Sequence, residues 1–302
     1  MLRAVLLGMA RSRPLGRWVT TNQTTCGLAA RFVAGETMDD AVAAARKLNE
    51  SGRMVSLDYL GESVHSEAEA RTAVDIALGM FDRIAAEKLD ANISIKLTQL
   101  GLDISETLCE ELVGRIVEAA QNYRNFVRID MEGSAYTQRT VDVCRRLRAR
   151  SPAVGIVLQS CLYRTEQDVR DMLAIGCRIR LCKGAYKEPA SVAYPQKADV
   201  DENYQRLTRV MLQSGIYHGI ATHDPRMLAT ARAFARHHEI GGDHFEFQML
   251  YGIRTDLQER LVKDGYRLRV YVPFGKDWFA YFMRRLAERP ANLMFLLRHV
   301  VR

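Results

Sequence analysis

The feature that most limits the fold of this chain is a repeated alternation of short strand-like runs with longer helix-period segments. Eight runs are rich in β-branched or aromatic residues and are bounded by Gly, Asp, Asn or Pro, a pattern typical of β-strands. The interval between consecutive runs leaves room for one helix. The predicted strands are Met54–Leu60, Ala91–Leu97, Phe126–Glu132, Gly155–Ser160, Arg178–Lys183, His218–His223, His244–Leu250 and Leu268–Val272.

Strand followed by helix, repeated about eight times, predicts an α/β fold of the (β/α)8 TIM-barrel type. A doubly wound sheet is the alternative, and it usually carries a Gly-rich phosphate turn after its first strand. Here the first strand leads into Asp58-Tyr-Leu-Gly-Glu-Ser63, which lacks the G-x-G-x-x-G pattern. The barrel is therefore favoured, and the doubly wound sheet stays open.

Residues 1–50 precede the first strand and are predicted to form an N-terminal helical arm, with residues 51–302 as the barrel. No apolar stretch approaches the roughly 18 residues that a membrane-spanning helix needs. The short apolar run of residues 1–10 is followed at once by Arg11 and Arg13 without a clear cleavage site, so a secretory signal is not predicted. A helix packed on the barrel is favoured there, with a basic amphipathic helix on a membrane surface as the alternative.

Composition narrows the classes of function. The formal net charge is +7, but the basic residues are dispersed and no run of five or more occurs, which argues against nucleic-acid binding. The six cysteines form no C-x-x-C pair and no zinc-finger spacing. We therefore expect no metal site and reduced, mostly buried thiols in a cytoplasmic protein.

Charged residues gather where the predicted strands end. The active site of a TIM barrel forms at the C-terminal ends of its strands. A buried charge is costly unless it is paired or used, so several charges at one end of the barrel indicate a site. The residues concerned are Lys96, Asp130, Arg180, Lys183 and His223.

The last helix carries a second candidate group. Tyr281, Arg284 and Arg285 are spaced i, i+3, i+4 and share one helical face. Two adjacent guanidiniums beside a tyrosine suit a small carboxylate that bears an apolar ring. The alternative is an exposed basic face, with Glu288 as the i+4 partner of Arg284.

Eight stretches, in one order across most of residues 54–290, resemble the catalytic barrel of the proline dehydrogenase family in its short bacterial monofunctional form. One such stretch would be a weak signal, and eight in order are specific. They are Ser94-Ile-Lys-Leu-Thr-Gln-Leu-Gly101, Arg128-Ile-Asp-Met-Glu132, Leu158-Gln-Ser160, Arg180-Leu-Cys-Lys-Gly-Ala-Tyr186, Ala221-Thr-His-Asp224, Phe245-Glu-Phe-Gln248, Tyr271-Val-Pro-Phe-Gly275 and Tyr281-Phe-Met-Arg-Arg-Leu286.

The resemblance implies FAD bound without a Rossmann fold, oxidation of L-proline to Δ1-pyrroline-5-carboxylate, and a membrane quinone as electron acceptor. This would be the first step of proline degradation to glutamate, carried out in the cytoplasm or against the inner face of the cell membrane. Asp130 would face the ring amine and Arg180 would lie near flavin N5. Substrate contacts would come from Lys96, Tyr271, Tyr281, Arg284 and Arg285; flavin contacts would come from Met131, Gln159, Lys183, Gly184, Ala185, Thr222 and His223, with Gln248 as a less certain addition.

The resemblance also implies a gate. Glu62 follows the first strand, on the first βα loop of a barrel. In the family, a glutamate on this loop pairs with the second arginine of the last helix. The matching pair here is Glu62 with Arg285, and its closure would exclude water from the site during hydride transfer.

Three other functions remain open from the residues alone. A barrel aldolase would use Lys96 as a Schiff base and would need a lowered lysine pKa. A basic module would bind a membrane surface or nucleic acid without turnover. A methylenetetrahydrofolate reductase would be another flavin barrel, but the paired arginines after Tyr281 favour a small carboxylate substrate instead.

Overall fold

A computed structural model describes residues 31–61, 63–186 and 188–288, without the side chains of residues 284–288. Eight parallel strands close into a barrel in sequence order, which confirms the predicted fold. The strands are β1 Met54–Tyr59, β2 Ala91–Ile95, β3 Val127–Ile129, β4 Val154–Gln159, β5 Arg178–Cys182, β6 His218–Ala221, β7 Phe245–Leu250 and β8 Leu268–Phe274. The helices are α1 Met38–Glu50, α2 Glu67–Ala86, α3 Glu106–Asn122, α4 Ser134–Arg150, α5 Thr165–Ala174, α6 Lys197–Gln213, α7 Pro225–His237, α8 Thr255–Lys263 and α9 Trp278–Glu288.

Closure of the barrel joins β1 to both β2 and β8. Ser56 on β1 is in register with Tyr271 on β8, and Asp58 is in register with Ser94 on β2. Residues two apart on a strand share a face. Polar side chains at alternate positions of β1 and β2 therefore point into the barrel, where the site lies.

Helix α1 packs against β1 and β8, at the junction where the barrel closes. Its start is set by a capping box, in which the Thr37 hydroxyl accepts from the Asp40 amide and the Asp40 carboxylate accepts from the Thr37 amide. Ala41, Ala45 and Leu48 form its buried face. The described part of the predicted arm thus covers the barrel wall, and the proposed domain boundary at residue 50 stays a prediction.

Helix α9 follows the last strand and reaches the C-terminal mouth of the barrel, where Tyr281 lines a cavity. Its first two turns contact the segment before α1. The Trp278 indole donates to Glu36 Oε1 at 3.2 Å, and the ring of Phe282 lies 6.2 Å from that of Phe32. The segment before α1 therefore helps to hold α9 at the mouth.

Several predicted strands are too long at their C-terminal ends. The third was predicted to run to Glu132, but β3 ends at Ile129, so Asp130 and Met131 lie in the loop that follows it. Glu132 accepts hydrogen bonds from the backbone amide and the hydroxyl of Thr98, at 3.2 and 2.7 Å. These bonds connect the loop after β3 to the turn after β2, where a longer strand would instead have continued its backbone pairing.

Candidate active site

A cavity of about 370 Å³ lies at the C-terminal ends of the strands; we call it the upper cavity. It combines charged and aromatic groups with apolar walls. It is lined by Lys96, Asp130, Met131, Val157, Arg180, Cys182, Lys183, Gly184, Ala185, Tyr186, Ala221, Thr222, His223, Gln248, Met249, Leu250, Tyr271 and Tyr281.

Lys96, just beyond β2, is the buried cation of this cavity. Its Nζ donates to Asp58 Oδ1 at 2.7 Å and lies 3.8 Å from Asp130 Oδ2. Burial lowers the pKa of Lys96, but the charges of Asp58 and Asp130 outweigh burial and hold the pKa above its ordinary value. The ammonium therefore stays charged and can receive a carboxylate at the cavity wall.

Asp130 is held from two sides. Arg180 NH1 donates to its Oδ1 at 2.9 Å, and the Tyr271 hydroxyl donates to its Oδ2 at 2.6 Å. Burial, followed by the nearby charge of Asp130, raises the pKa of Tyr271 well above its usual range. Tyr271 therefore remains a hydrogen-bond donor, and the two bonds orient the Asp130 side chain.

The guanidinium of Arg180 is fixed in the barrel interior. NH2 lies 3.2 Å from the Ser94 hydroxyl and 3.4 Å from that of Ser56, and these two hydroxyls are 3.0 Å apart. The Arg180 guanidinium also lies over the Tyr271 ring, 5.3 Å from its centroid. Its Nε is buried and has no hydrogen-bond partner among the described residues.

Beyond β5, the chain turns along the cavity through Gly184. This residue has φ of +117°, and a Cβ there would lie 2.4 Å from Cys161 Sγ. Only glycine accepts this conformation and this close approach. With glycine at this position, the chain can pass Cys161 and continue along the cavity.

Lys183 is anchored by a carboxylate on α6 and by the N-cap carboxylate of α7. Its Nζ donates to Asp201 Oδ1 at 2.6 Å and to Asp224 Oδ2 at 3.0 Å. Burial acts to raise the pKa values of both acids, but their hydrogen bonds from Lys183 contribute to a net lowering. Both therefore stay ionised and hold the ammonium at the cavity edge.

The loop after β6 places Thr222 and His223 in the cavity. The Thr222 amide donates to the Gln248 carbonyl at 3.1 Å, and the Leu250 amide donates to His223 Nε2 at 2.9 Å. A ring nitrogen that accepts from an amide carries no proton, so a neutral His223 keeps its proton on Nδ1.

The chain matches known proteins over most of its length. The proline dehydrogenase family profile matches residues 41–298. Proline dehydrogenase 1 of Bacillus subtilis is 42% identical over 302 residues, which cover 100% of both chains. Proline dehydrogenase of Deinococcus radiodurans is 42% identical over 285 residues, 93% of this chain and 92% of the relative. The chain belongs to the proline dehydrogenase family.

As a proline dehydrogenase, the chain is an enzyme of proline oxidation, the first step of proline catabolism. Its fold is also shared with proline utilization A of Bdellovibrio bacteriovorus inactivated by N-propargylglycine, with a TM-score of 0.82 and 27% identity. That alignment covers 87% of this chain and 33% of the solved one. Over its full length, the chain therefore resembles the short monofunctional proline dehydrogenases rather than the longer proline utilization A chain.

The structure brings most of the predicted proline dehydrogenase site residues into the upper cavity. Gln159 lies just outside the lining, where its amide donates to the Glu132 carbonyl at 3.0 Å. The proposed gate residue Glu62 and the side chains of Arg284 and Arg285 lie outside the described residues. The predicted residues that line the cavity are Lys96, Asp130, Met131, Arg180, Lys183, Gly184, Ala185, Thr222, His223, Gln248, Tyr271 and Tyr281.

The prediction from sequence missed Asp58, the fully buried partner of Lys96. A signal was present, because Ser56 and Asp58 are polar residues two apart in an otherwise apolar strand and so face one side. It also missed Tyr186, which lines the cavity just after Ala185. No periodic pattern identifies Tyr186, since it lies in an irregular loop.

Proposed function

We propose that the upper cavity holds FAD beside L-proline, and that the enzyme oxidises L-proline to Δ1-pyrroline-5-carboxylate and passes two electrons to a membrane quinone. The observation that carries the proposal is the meeting of Lys96, Asp130 and Arg180 in one cavity with apolar walls. These charges match the carboxylate and the amine of one small amino acid, and the walls match flat rings.

Three features of the cavity fit a flavin. Gly184 lines the cavity without a side chain, so its backbone is open to a bound ring. Arg180 has a buried Nε without a described partner and can donate to a polar ring edge. Apolar side chains of Met131 and Leu250 line the walls, and Lys183 supplies a fixed positive charge. When bound, the flavin would supply a hydride acceptor for the substrate carbon.

In this proposal, Lys96 binds the proline carboxylate and Asp130 orients the ring amine. Charge-assisted hydrogen bonds of this kind align the substrate as well as bind it. Tyr271 and Tyr281 both line the cavity and offer ring surface to the proline ring. The family resemblance adds Arg284 and Arg285 as further carboxylate partners; this remains a prediction from the sequence.

The proposed reaction removes a hydride from proline C5 and a proton from its nitrogen, which leaves a C5=N double bond. The amine must be neutral when the hydride departs. An anionic Asp130 favours the charged amine, so its role is to orient the substrate, and the proton leaves to water. Arg180 supports developing negative charge on the hydride acceptor.

The electron acceptor implied by the family resemblance is dissolved in a membrane. We therefore propose that the enzyme works in the cytoplasm and touches the inner face of the cell membrane. Across the described residues, no helix combines the length and apolar character needed to cross a bilayer.

The charge state of Lys96 disfavours an aldolase. A Schiff-base lysine must be neutral to attack a carbonyl, and its pKa is lowered for that purpose. Here Asp58 and Asp130 outweigh the effect of burial and raise the pKa of Lys96. Lys96 is thus prepared to bind an anion rather than to act as a nucleophile.

An anaerobic absorbance experiment tests the proposed function. Purified protein, reconstituted with FAD if needed, is expected to show a flavin spectrum that L-proline bleaches. D-proline at the same concentration serves as the control for substrate geometry. A protein that takes up no FAD, or one whose bound flavin L-proline does not reduce, would contradict the proposal.

A further inference from the structure

A second cavity, of about 720 Å³, lies at the opposite, N-terminal end of the barrel. We call it the lower cavity. Its inner wall carries side chains that project from the strands, and none of them belongs to the site described above. The polar residues of this wall are Asn92, Arg128, Arg178, Glu246 and Arg269.

Positive charge exceeds negative charge on this wall. Glu246 is already engaged, because Arg269 Nε donates to it at 2.8 Å and the Tyr217 hydroxyl donates to it at 2.9 Å. Neither Arg128 nor Arg178 has an ion-pair contact with a carboxylate among the described residues. The cavity is also lined by Asp90, but neither Asp90 nor Glu246 forms an ion pair with Arg128 or Arg178 among the described residues, so these two guanidiniums lack an ionic partner there.

Arg128 is the most unusual of these groups. It is only 3% exposed, and its NH1 donates to the carbonyls of Ile156 and Arg178 at 3.2 and 2.6 Å. Its Nε has no hydrogen-bond partner among the described residues. Burial, reinforced by the charge of Arg180, lowers the pKa of Arg128 to about 9. In contrast, the buried cations Lys96 and Arg180 each contact a carboxylate within 3 Å.

Aromatic stacking orients the two guanidiniums. The Phe126 ring centroid lies 4.8 Å from the Arg128 guanidinium carbon and 5.2 Å from that of Arg178. Arg178 also lies 5.5 Å from the centroid of the Tyr217 ring. Stacking uses the faces of a guanidinium and leaves its N–H edges for an oxyanion.

Gly155 lies where a side chain would collide with the Arg128 guanidinium. A Cβ at this position would lie 2.4 Å from the Arg178 carbonyl oxygen and 2.8 Å from Arg128 NH1. Any larger residue would displace the guanidinium from the wall. The strand thus carries glycine where the buried cation passes.

We propose that the lower cavity binds one small oxyanion, a carboxylate or a phosphate, between Arg128 and Arg178. The anion supplies the negative charge that the wall lacks, and guanidinium edges match both kinds of oxyanion. Asn92 lines the same wall, and its Oδ1 has no partner among the described residues, so its amide is free to turn its NH2 group toward the anion.

Calorimetric titration of the FAD-loaded enzyme tests this site. Inorganic phosphate and succinate are the two probes, each at an ionic strength held constant with sodium chloride. At least one probe is expected to bind with a stoichiometry of one per chain. Arg178→Met, at the exposed rim, should weaken that binding at least tenfold. Arg209→Met, an exposed arginine on α6, is the matched control and should leave binding unchanged.

Lys96→Met distinguishes this site from the upper cavity. Binding that survives Lys96→Met and is lost in Arg178→Met locates the anion in the lower cavity, and the relative affinities of the probes identify the favoured chemistry. Binding of neither probe, binding unchanged in Arg178→Met, or binding lost in Lys96→Met would each overturn the proposal. Flavin bleaching by L-proline is measured separately, so failure of this site does not imply failure of the proposed function.

Discussion

Nζ of Lys96 lies 2.7 Å from Oδ1 of Asp58, and this buried ion pair joins the second strand region of the barrel to the first. Asp58 is fully buried. Its carboxylate therefore fixes the position of the Lys96 ammonium and helps to keep that group charged. If Lys96 binds the proline carboxylate, Asp58 acts on the reaction by positioning Lys96.

Asp58→Asn is expected to lower kcat/KM for proline roughly tenfold to a hundredfold, since a hydrogen bond to a charged group is worth about 1.5–3 kcal/mol. The loss should lie mainly in KM, because the ammonium is free to move toward Asp130. Steady-state kinetics measure the split. Asp103→Asn, which removes an exposed carboxylate, is the control. An unchanged KM would show that Asp58 does not position Lys96.

Asp130→Ala is expected to abolish proline oxidation while the protein retains FAD. The change removes the acceptor of the bonds from Arg180 and Tyr271, as well as the partner proposed for the substrate amine. Activity and flavin absorbance are measured on the same sample. Simultaneous loss of FAD would indicate a structural role, and full activity would contradict the assignment.

Tyr271→Phe isolates the hydroxyl from the ring. The ring that lies 5.3 Å from the Arg180 guanidinium is kept, while the 2.6 Å hydrogen bond to Asp130 is lost. We expect kcat/KM to fall about tenfold, with the melting temperature little changed. Tyr163→Phe, at an exposed tyrosine, provides the comparison. A fall in melting temperature without loss of kcat/KM would assign the hydroxyl to stability instead.

Gly184→Ala should cost about 1–3 kcal/mol of folding free energy, because a side chain at a φ of +117° is strained and its Cβ meets Cys161 Sγ. FAD affinity should fall with it, since the backbone turn must shift. Gly79→Ala on α2, where a Cβ meets nothing within 4 Å, is expected to be neutral or stabilising. Denaturant unfolding and FAD titration of both variants check the contrast.

His218 makes stability sensitive to acid. Burial lowers its pKa to about 3, and its Nδ1 accepts the Ile179 amide at 3.0 Å. Below about pH 6.5 the imidazole of His218 binds a proton in the unfolded state but stays neutral in the folded state. This group should therefore reduce the free energy of unfolding as pH falls from about 6.5 toward 3, by up to roughly 1.4 kcal/mol per pH unit.

Denaturant unfolding at a series of pH values measures that slope. The variant His218→Gln is expected to be less stable at neutral pH and to lose part of the acid dependence. His244→Gln, at an exposed histidine, should keep the slope of the parent protein. Identical slopes in all three proteins would contradict the role of His218.

Local patterns in the sequence favoured the barrel over a doubly wound sheet and indicated the strand ends that carry charged residues. Alternation of strand and helix is readable along the chain, because each element imposes its own period on apolar residues. The same period located Lys96, Asp130 and Arg180 at one end of the barrel. Strand ends were less certain, as at β3, because a strand stops where its neighbour stops pairing.

Only the tertiary structure decided which groups meet across the barrel. The pairing of Lys96 with Asp58, the packing of α1 where the barrel closes, and the surplus of guanidiniums beside Glu246 all join residues from separate strands and helices. Periodicity tells which face a side chain takes. The distances between side chains on different strands depend on the register and closure of the sheet, which arise only when the whole barrel assembles.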